Sequence, residues 1–306
     1  MNKRIGFIGV GNLGRHLAMS LVRAGFSIYI HDLNRASAEP LLSAGAVWAE
    51  SSQELTGAVD TVITCLPSPS VVTTVVDGED GILSKLKLGG TWIDMSTNDF
   101  HVLQRLSELA SKRGIHCLEA PVTGGVHKAA SGQITVMVAG NQAVFQEHLS
   151  LFEAMGKPVF YLGEIGKASI IKVITNMLAF IHLVAVGEAL MLAKRGGIDL
   201  GQAFDIIKAS SGNSFVHETE SQVILNGSYN IGFTMDLACK DLHFAHELGR
   251  EFGVPLELAG LVEQTFIRAR SQYGGEAWSS QVVKLLEDAL GTDLRAAGFP
   301  EVLEVW

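Results

Sequence analysis

The chain has 306 residues and a formal net charge of −9 at neutral pH. Its length favours two domains, and its acidic balance without a long basic block argues against a nucleic-acid partner, because phosphate binding needs clustered lysine and arginine. The three cysteines are widely spaced and form no C-x-x-C pair, which is typical of buried thiols in a reducing compartment.

The first half of the chain alternates strand and helix patterns. The first residues lead directly into a strand, with no separate apolar segment and cleavage site, so we expect a cytoplasmic protein. In chain order the predicted elements are Ile5–Gly9, Arg15–Ala24, Ser27–His31, a helix near Ala36–Ala44, Thr61–Cys65, Val71–Val76, Thr91–Asp94 and Phe100–Lys112. Apolar runs at His116–Ala120 and Ile134–Ala139 extend the sheet, before a helix at Phe145–Met155 and a late strand at Pro158–Leu162. Such alternation predicts a doubly wound parallel sheet with helices on both faces.

From about Gly166 onward the pattern is helical. The predicted helices are Ala168–Lys194, Leu200–Ser210, one around Phe215–Leu225, Asp236–Phe252, Leu256–Tyr273 and Gln281–Leu290. The uncharged stretch Val173–Gly187 has fifteen residues, fewer than the roughly 18 that a membrane span needs, so we predict a buried helix and no membrane partner. The expected organisation is an α/β domain over residues 1–165, a long interdomain helix over 166–195 and an all-α domain over 196–306.

A glycine-rich turn follows the first strand. Gly9, Gly11 and Gly14 form a G-x-G-x-x-G pattern in which they allow a tight turn, approach of a pyrophosphate and close helix packing, respectively. Asp32 lies eighteen residues after Gly14, where an acceptor for ribose hydroxyls is expected. A structural glycine turn is the alternative, but strand, helix, second strand and acid all agree. We therefore predict a Rossmann-type domain with a dinucleotide site formed by Gly9, Gly11, Asn12, Leu13, Gly14 and Asp32.

Lys172 and Asn176 lie four residues apart in the apolar helix, which places both side chains on one face. Desolvation lowers the pKa of a lysine, so that the amine can donate and accept protons near neutral pH, and Asn176 could orient it. The alternative is a lysine whose stem packs on apolar surface while its ammonium group reaches solvent.

In four ordered segments the chain resembles the β-hydroxyacid dehydrogenases, which include 3-hydroxyisobutyrate dehydrogenase and tartronate semialdehyde reductase. The first is the glycine turn, with Leu13 in place of the usual methionine. The second is Glu119-Ala120-Pro121-Val122-Thr123-Gly124-Gly125, with Thr123 in place of serine. The third runs from Gly163 and Gly166 to Lys172 and Asn176, with Ala168 and Thr175 as departures. The fourth runs from Phe233 to Lys240-Asp241-Leu242.

The resemblance implies hydride transfer between a nicotinamide cofactor and a small 3-hydroxy acid or its semialdehyde. Lys172 would be the general acid/base, and Asn176 would hold Lys172 or the substrate. Further implied site residues are Ser96, Thr123, Gly124, Gly125 and Lys240 for substrate, and Leu66, Pro67, Thr97 and Lys240 for cofactor. Ser96 and Thr97 belong to a segment resembling the family's D-x-S-T, in which Phe100 replaces a usual proline.

Residue type also bears on the cofactor and on assembly. Asp32 would repel a 2′-phosphate and Leu33 is uncharged, which favours NAD over NADP, although Arg35 is near enough to reach a phosphate. The apolar helix and the tail Gly298–Trp306, with Phe299 and Trp306 exposed unless covered, favour a homodimer or homotetramer.

Two other functions stay open from the sequence. An imine reductase shares the two-domain architecture, but those enzymes generally lack a lysine at the position of Lys172. A non-catalytic dinucleotide-binding protein would be expected to have lost it. His217 and Glu218 begin a zinc-protease-like pattern that lacks its second histidine, and His243 and His246 have no accompanying ligands at convincing spacing, so no metal site is predicted.

Overall fold

A computed structural model of the chain describes residues 4–303. These residues divide into two compact units, of which the first ends at Lys172 and the second begins at Val173. The boundary lies inside one continuous helix, Lys167–Arg195. Trp306 of the predicted exposed tail lies outside the described residues.

The first unit contains a sheet of nine strands. They are β1 (Arg4–Ile8), β2 (Ser27–His31), β3 (Val47–Trp48), β4 (Thr61–Thr64), β5 (Thr91–Asp94), β6 (His116–Glu119), β7 (Val122–Thr123), β8 (Thr135–Gly140) and β9 (Val159–Tyr161). Their order is β3-β2-β1-β4-β5-β6-β8-β7, and β9 also pairs with β8. The strands from β3 to β6 are parallel, whereas β8 runs antiparallel to β6 and β7. The predicted doubly wound sheet is confirmed, with two strands, β8 and β9, that run antiparallel to the others at one side.

Helices cover both faces of this sheet. They are α1 (Gly14–Arg23), α2 (Glu39–Ser43), α3 (Ser52–Ala58), α4 (Pro69–Asp77), α5 (Ile82–Lys85), α6 (Phe100–Lys112), α7 (Gly125–Ala130) and α8 (Gln142–Met155). Alternate strand residues point to opposite faces, so Ile63 and Ile93 pack with Leu17 of α1, while Val62 and Trp92 pack with α3, α4 and α6. Side-chain caps begin several helices, for example Ser68 for α4 and Asp99 for α6.

The shortest elements were missing from the sequence prediction. Two-residue strands such as β3 and β7, and the short helices α3, α5 and α7, carry too few residues for a periodic pattern. The predicted helix near Ala36–Ala44 is a 3₁₀ turn, Arg35–Ala38, followed by α2. The sequence pattern therefore predicted the sheet and the longer helices that cover it, but not the short elements that connect them.

The second unit is helical, as predicted. It contains most of α9 (Lys167–Arg195), then α10 (Leu200–Lys208), α11 (Phe215–Asn226), α12 (Met235–Glu251), α13 (Glu257–Tyr273) and α14 (Lys284–Leu290), with a 3₁₀ turn at Ser279–Val283. Its core includes Leu183 and Phe266. Phe299, predicted to be exposed unless covered, packs edge-on against Phe204 at 5.0 Å between ring centroids, so the core of its own unit covers part of the ring.

A buried polar network holds the terminal segment. The Tyr229 hydroxyl donates to Glu287, and Arg295 lies 3.0 Å from Glu287 Oε1 and donates to the Tyr229 hydroxyl over 2.7 Å. Glu287 is 4% exposed, so its charge is compensated inside the unit rather than by solvent.

Helix α9 has 29 residues, and its most apolar 18-residue window has a mean hydropathy of 1.9. By length and composition alone this helix could cross a membrane, since it extends well beyond the uncharged stretch Val173–Gly187. A third of that window is buried within the protein. A core helix of a globular protein passes the same test, and Leu183 and Leu190 of α9 are fully buried in the second unit.

Candidate active site

The glycine turn after β1 depends on two close backbone contacts. Gly9 has a φ of 95°, and a Cβ on it would meet the carbonyl oxygen of Cys65. A Cβ on Gly14 would meet the carbonyl oxygen of Gly9. Apart from its chain neighbours, a Cβ on Gly11 would meet no atom of the described residues within 4 Å. Gly9 and Gly14 are thus required by the fold itself, whereas Gly11 faces open space.

Helix α1 begins at this turn without a side-chain cap. Its N-cap residue is Leu13, whose side chain carries no hydrogen-bond acceptor. Within residues 4–303, no acceptor faces the backbone amides of Asn12 and Leu13. Amides of this kind, together with the positive end of the helix dipole, form an anion-binding position.

Asp32 connects the end of β2 to the glycine turn. Its Oδ2 accepts a hydrogen bond from the amide of Val10 over 2.7 Å, and its Oδ1 accepts one from the amide of Asn34 over 2.8 Å. Nearby, the Arg35 guanidinium lies 3.1 Å from Glu50 Oε1 and 5.1 Å from the ring centroid of Trp48. The carboxylate is fixed in place, while the arginine already has a partner.

The ends of β4 and β5 are joined through Asp94. This carboxylate accepts hydrogen bonds from Thr64 Oγ1 (2.9 Å), the amide of Ser96 (3.1 Å) and Asn98 Nδ2 (2.9 Å). Ser96 Oγ in turn accepts from the amide of Leu66 over 2.9 Å. Burial raises the pKa of Asp94, and these hydrogen bonds offset part of the increase. The arrangement holds Ser96 beside Leu66; Thr97 is half-buried next to it, and Pro67 is exposed.

The segment after β6 carries the predicted substrate residues. The amide of Ala120 donates to the carbonyl oxygen of Asp94 over 2.7 Å, and Thr123 pairs with Thr135 of β8. Gly124 and Gly125 have φ values of 129° and 85°, which disfavour any other residue. The turn lies at the same edge of the sheet as the glycine turn and Ser96, because the carboxyl ends of parallel strands meet there.

Glu119, the last residue of β6, binds the start of α9. Its Oε1 accepts from the amides of Gly166 (2.5 Å) and Ala168 (3.1 Å), and its Oε2 from the amide (3.0 Å) and Oγ (2.5 Å) of Ser169. Burial raises the pKa of Glu119, while these hydrogen bonds favour its charged form. The carboxylate takes the place of a local N-cap side chain.

Lys172 and Asn176 are both 9% exposed and share one face of α9. In the second unit, Asn176 Nδ2 donates to Asp241 Oδ2 over 2.5 Å. Lys240 Nζ lies 2.8 Å from Asp241 Oδ1 and 5.0 Å from the ring centroid of Phe244. The fully buried Asp241 therefore brings Asn176 and Lys240 together.

In the sequence, Glu119 and Asp241 stand only as members of longer motifs, and no role was predicted for either. The sequence signal for a functional role was an acidic residue among apolar ones. The hydrogen-bond partners of Glu119 and Asp241 lie 47 to 65 residues away in the sequence, so the pattern does not reveal them. The other polar candidates have local partners: His217 is fully buried and bonds to the carbonyl oxygen of Phe204, and His246 lies 2.7 Å from Glu263. Within residues 4–303, no three His, Cys, Asp or Glu side chains converge as metal ligands.

Two family models match the chain. One, described as the NAD binding domain of 6-phosphogluconate dehydrogenase, covers residues 4–163. The other, described as NAD-binding of NADP-dependent 3-hydroxyisobutyrate dehydrogenase, covers residues 166–286. The glycine turn falls within the first match, and Lys172, Asn176 and Lys240 fall within the second.

Individual relatives cover nearly the whole chain. The 2-(hydroxymethyl)glutarate dehydrogenase of Eubacterium barkeri is 33% identical over 292 residues, which are 95% of this chain and 97% of that protein. The mitochondrial 3-hydroxyisobutyrate dehydrogenase of Mus musculus is 34% identical, over 86% of this chain and 80% of that protein. The crystal structure of 3-hydroxyisobutyrate dehydrogenase from Salmonella typhimurium has a TM-score of 0.86 at 31% identity and covers 92% and 99% of the two chains.

The chain belongs to the β-hydroxyacid dehydrogenase family. As a member of it, the protein is an NAD(P)-dependent oxidoreductase, which removes the non-catalytic alternative. Phe100 stands where the family usually has proline. Its ring lies directly against Gly166, at the start of α9. Ala168, another departure, is fully buried there.

Proposed function

We propose that this β-hydroxyacid dehydrogenase oxidises a small 3-hydroxy acid, or reduces the matching semialdehyde, with Lys172 as the general acid/base. The observation that carries the proposal is the position of the buried residue Lys172 on the same helix face as Asn176, whose side-chain amide donates to the buried Asp241. The relatives named for hydroxymethylglutarate and hydroxyisobutyrate support this substrate class.

In the oxidative direction, neutral Lys172 accepts the proton of the substrate hydroxyl. A bound nicotinamide cofactor would supply the hydride acceptor for the carbon that bears this hydroxyl. In the reductive direction the Lys172 ammonium protonates the carbonyl oxygen. Asn176 donates its Nδ2 hydrogen to Asp241, and we assign its Oδ1, which is a hydrogen-bond acceptor, to the Lys172 ammonium or the substrate hydroxyl.

The substrate carboxylate is assigned to Thr123, Gly124 and Gly125. A turn with two glycines at positive φ can present its amides without a Cβ in the way, and the Thr123 hydroxyl adds a donor. Ser96, near the end of β5, and Lys240, on α12, are proposed as further substrate contacts.

For the cofactor we propose NAD in preference to NADP. The open space at Gly11, the amides of Asn12 and Leu13 and the Asp32 carboxylate fit a pyrophosphate and a ribose diol. Leu66, Pro67, Thr97 and Lys240 would complete the cofactor contacts. Asp32 would repel a 2′-phosphate, and Arg35 is paired with Glu50 rather than left to attract one.

We also propose a homodimer or homotetramer in the cytoplasm. Leu178 and Leu192 of α9 are 44% and 76% exposed in the single chain, and Leu261 of α13 is 67% exposed, which is costly without a covering surface. All three cysteines are free thiols, which fits a reducing compartment. Light scattering on the purified protein and cell fractionation would test the two statements separately.

The deciding experiment measures NADH or NADPH formation with a panel of 3-hydroxy acids, each with NAD and NADP, in wild type and Lys172→Ala. We expect turnover of at least one acid, and a kcat about 10²- to 10⁴-fold lower in the variant, the usual contribution of a general acid/base, with NAD binding retained. Lys167→Ala is the matched control, because Lys167 is an exposed lysine of the same helix, and should keep wild-type kcat. Undiminished turnover in Lys172→Ala would contradict the assignment.

A further inference from the structure

Glu119 is a buried charge with no direct role in the proposed reaction. It is 1% exposed, yet it carries a carboxylate, whose burial is unfavourable unless it is compensated by hydrogen bonds or an opposite charge. Four donors compensate it, and all four belong to residues 166–169 at the start of α9. The cluster therefore joins β6 to the helix that carries Lys172.

The hydrogen bonds to Glu119 constrain both the position and the rotation of that helix. The first amides of a helix have no acceptor inside it, and negative charge is favourable at this end. Each carboxylate oxygen of Glu119 takes two of the four donors, so both the position of α9 and its rotation about its own axis are defined. The Phe100 ring packs on Gly166 at the same point.

Lys172 follows Ser169 by three residues, so the two side chains lie on the same face about one helical turn apart. Displacement of the helix start would displace Lys172 with it, because a helix is stiff over one turn. On the other side, Glu119 precedes Thr123 by only four residues, and this segment is held by Asp94 and β8. One carboxylate thus links the lysine helix to the turn assigned to the substrate carboxylate.

We propose that Glu119 is a positioning residue: it sets where the amine of Lys172 lies relative to the Thr123–Gly125 turn. The inference rests on the proposed role of Lys172. A misplacement of about 1 Å can lower a rate by about 10²-fold, so the loss of this anchor should be visible in kcat.

The test is a double-mutant cycle with Glu119→Gln and Lys172→Ala, alone and combined. A glutamine keeps the size of the side chain but replaces one acceptor oxygen with a donor, which cannot bind the α9 amides. We expect Glu119→Gln to lower kcat by about 10- to 100-fold in the wild-type background, with NAD affinity unchanged, and by less than about twofold in the Lys172→Ala background. A purely structural role would lower kcat by the same factor in both backgrounds.

Glu287→Gln is the matched control, because it removes another buried, hydrogen-bonded carboxylate that lies outside the proposed site. It should lower the midpoint of thermal unfolding by several degrees and leave kcat unchanged. If Glu119→Gln does not fold, Ser169→Ala removes one of the four donors and should give a smaller kcat loss that also disappears in the Lys172→Ala background.

Three outcomes would overturn the positioning role: equal losses in both backgrounds, a kcat within twofold of wild type in Glu119→Gln, or a wild-type kcat in Ser169→Ala when that variant has to be used. A failure of the proposed function is distinguishable, because it appears as normal turnover in Lys172→Ala alone.

Discussion

The helices α1 and α9 begin in opposite ways. α1 starts at Leu13, whose side chain has no acceptor, and the amides of Asn12 and Leu13 find no protein partner among residues 4–303. α9 starts on the carboxylate of Glu119, which accepts four hydrogen bonds from residues 166–169. Both helix starts follow a glycine with positive φ, Gly9 in one case and Gly166 in the other.

The difference separates a binding position from an anchoring position. A helix start left open can receive the negative charge of a ligand, whereas one closed by a buried carboxylate is committed to the fold. In our proposals, the same partial positive charge binds the cofactor at the start of α1 and fixes the position of Lys172 at the start of α9. The following substitutions test this difference between the two helix starts.

The largest effect is expected at Gly14. In Gly14→Ala the added methyl group would collide with the carbonyl oxygen of Gly9, so the turn must shift. We expect a loss of about 1–3 kcal/mol in the free energy of unfolding, typical of overpacking, together with loss of NAD binding. Chemical denaturation and NAD titration would measure the two effects.

Gly11→Ala is the control for that substitution. Its methyl group meets no atom within 4 Å in the described part of the chain, apart from its chain neighbours, and Gly11 has no positive φ, so the stability should stay at the wild-type value. Only NAD affinity should fall, because the methyl group occupies the space assigned to the pyrophosphate. Equal destabilisation by both substitutions would contradict the distinction between the two glycines.

Asn12→Asp adds a negative charge to the open start of α1 and leaves the size of the side chain unchanged. We expect the Kd for NAD to rise about 10- to 100-fold at low salt, which lies between the interaction of two charges about 4 Å apart in bulk water, about 1 kcal/mol, and near a protein surface, about 4 kcal/mol, and to rise less at high salt. Asn141→Asp makes the same change at the start of α8, where Asn141 already caps the helix, and should leave NAD affinity unchanged. Isothermal titration at two salt concentrations would compare them.

Glu220 differs from Glu119, because no helix start among the described residues compensates the charge of its carboxylate. Within the described residues its Oε2 is buried without a hydrogen-bond partner, and burial raises the pKa of Glu220 from 4.5 to about 8. Because the folded state binds this proton more tightly than the unfolded state, stability is lost as the pH rises through this range.

Glu220→Gln should therefore raise the midpoint of thermal unfolding by a few degrees above about pH 8 and change it little near pH 4. Glu218→Gln alters an exposed carboxylate of the same helix, paired with Lys208, and should show no such pH-dependent gain. Thermal scans at several pH values would decide, and parallel curves for Glu220→Gln and wild type would refute the argument.

Local features of the site could be predicted from the sequence. The glycine turn, Asp32 and the four-residue spacing of Lys172 and Asn176 each depend on residues adjacent in one element, so their pattern is visible without the fold. The layers of the sheet were also predictable, because buried residues such as Val62 and Ile63 alternate between its two faces.

The anchoring contacts could not be predicted in the same way. Glu119 binds amides 47 to 50 residues ahead, and backbone donors have no signature in the amino-acid sequence. Asp241 meets Asn176 across 65 residues. The covered position of Phe299 likewise depends on how the terminal segment folds back onto Phe204.

The boundary between the two units falls inside α9, between Lys172 and Asn176, and this makes helical phase important for recombination between relatives. A chimera that takes its second unit from another family member must keep the three residues between these positions. One inserted residue would turn Asn176 by about 100° around the helix and remove its amide from the face of Lys172. Crossover points for domain exchange are therefore better placed beyond Asn176, where the pair is inherited together.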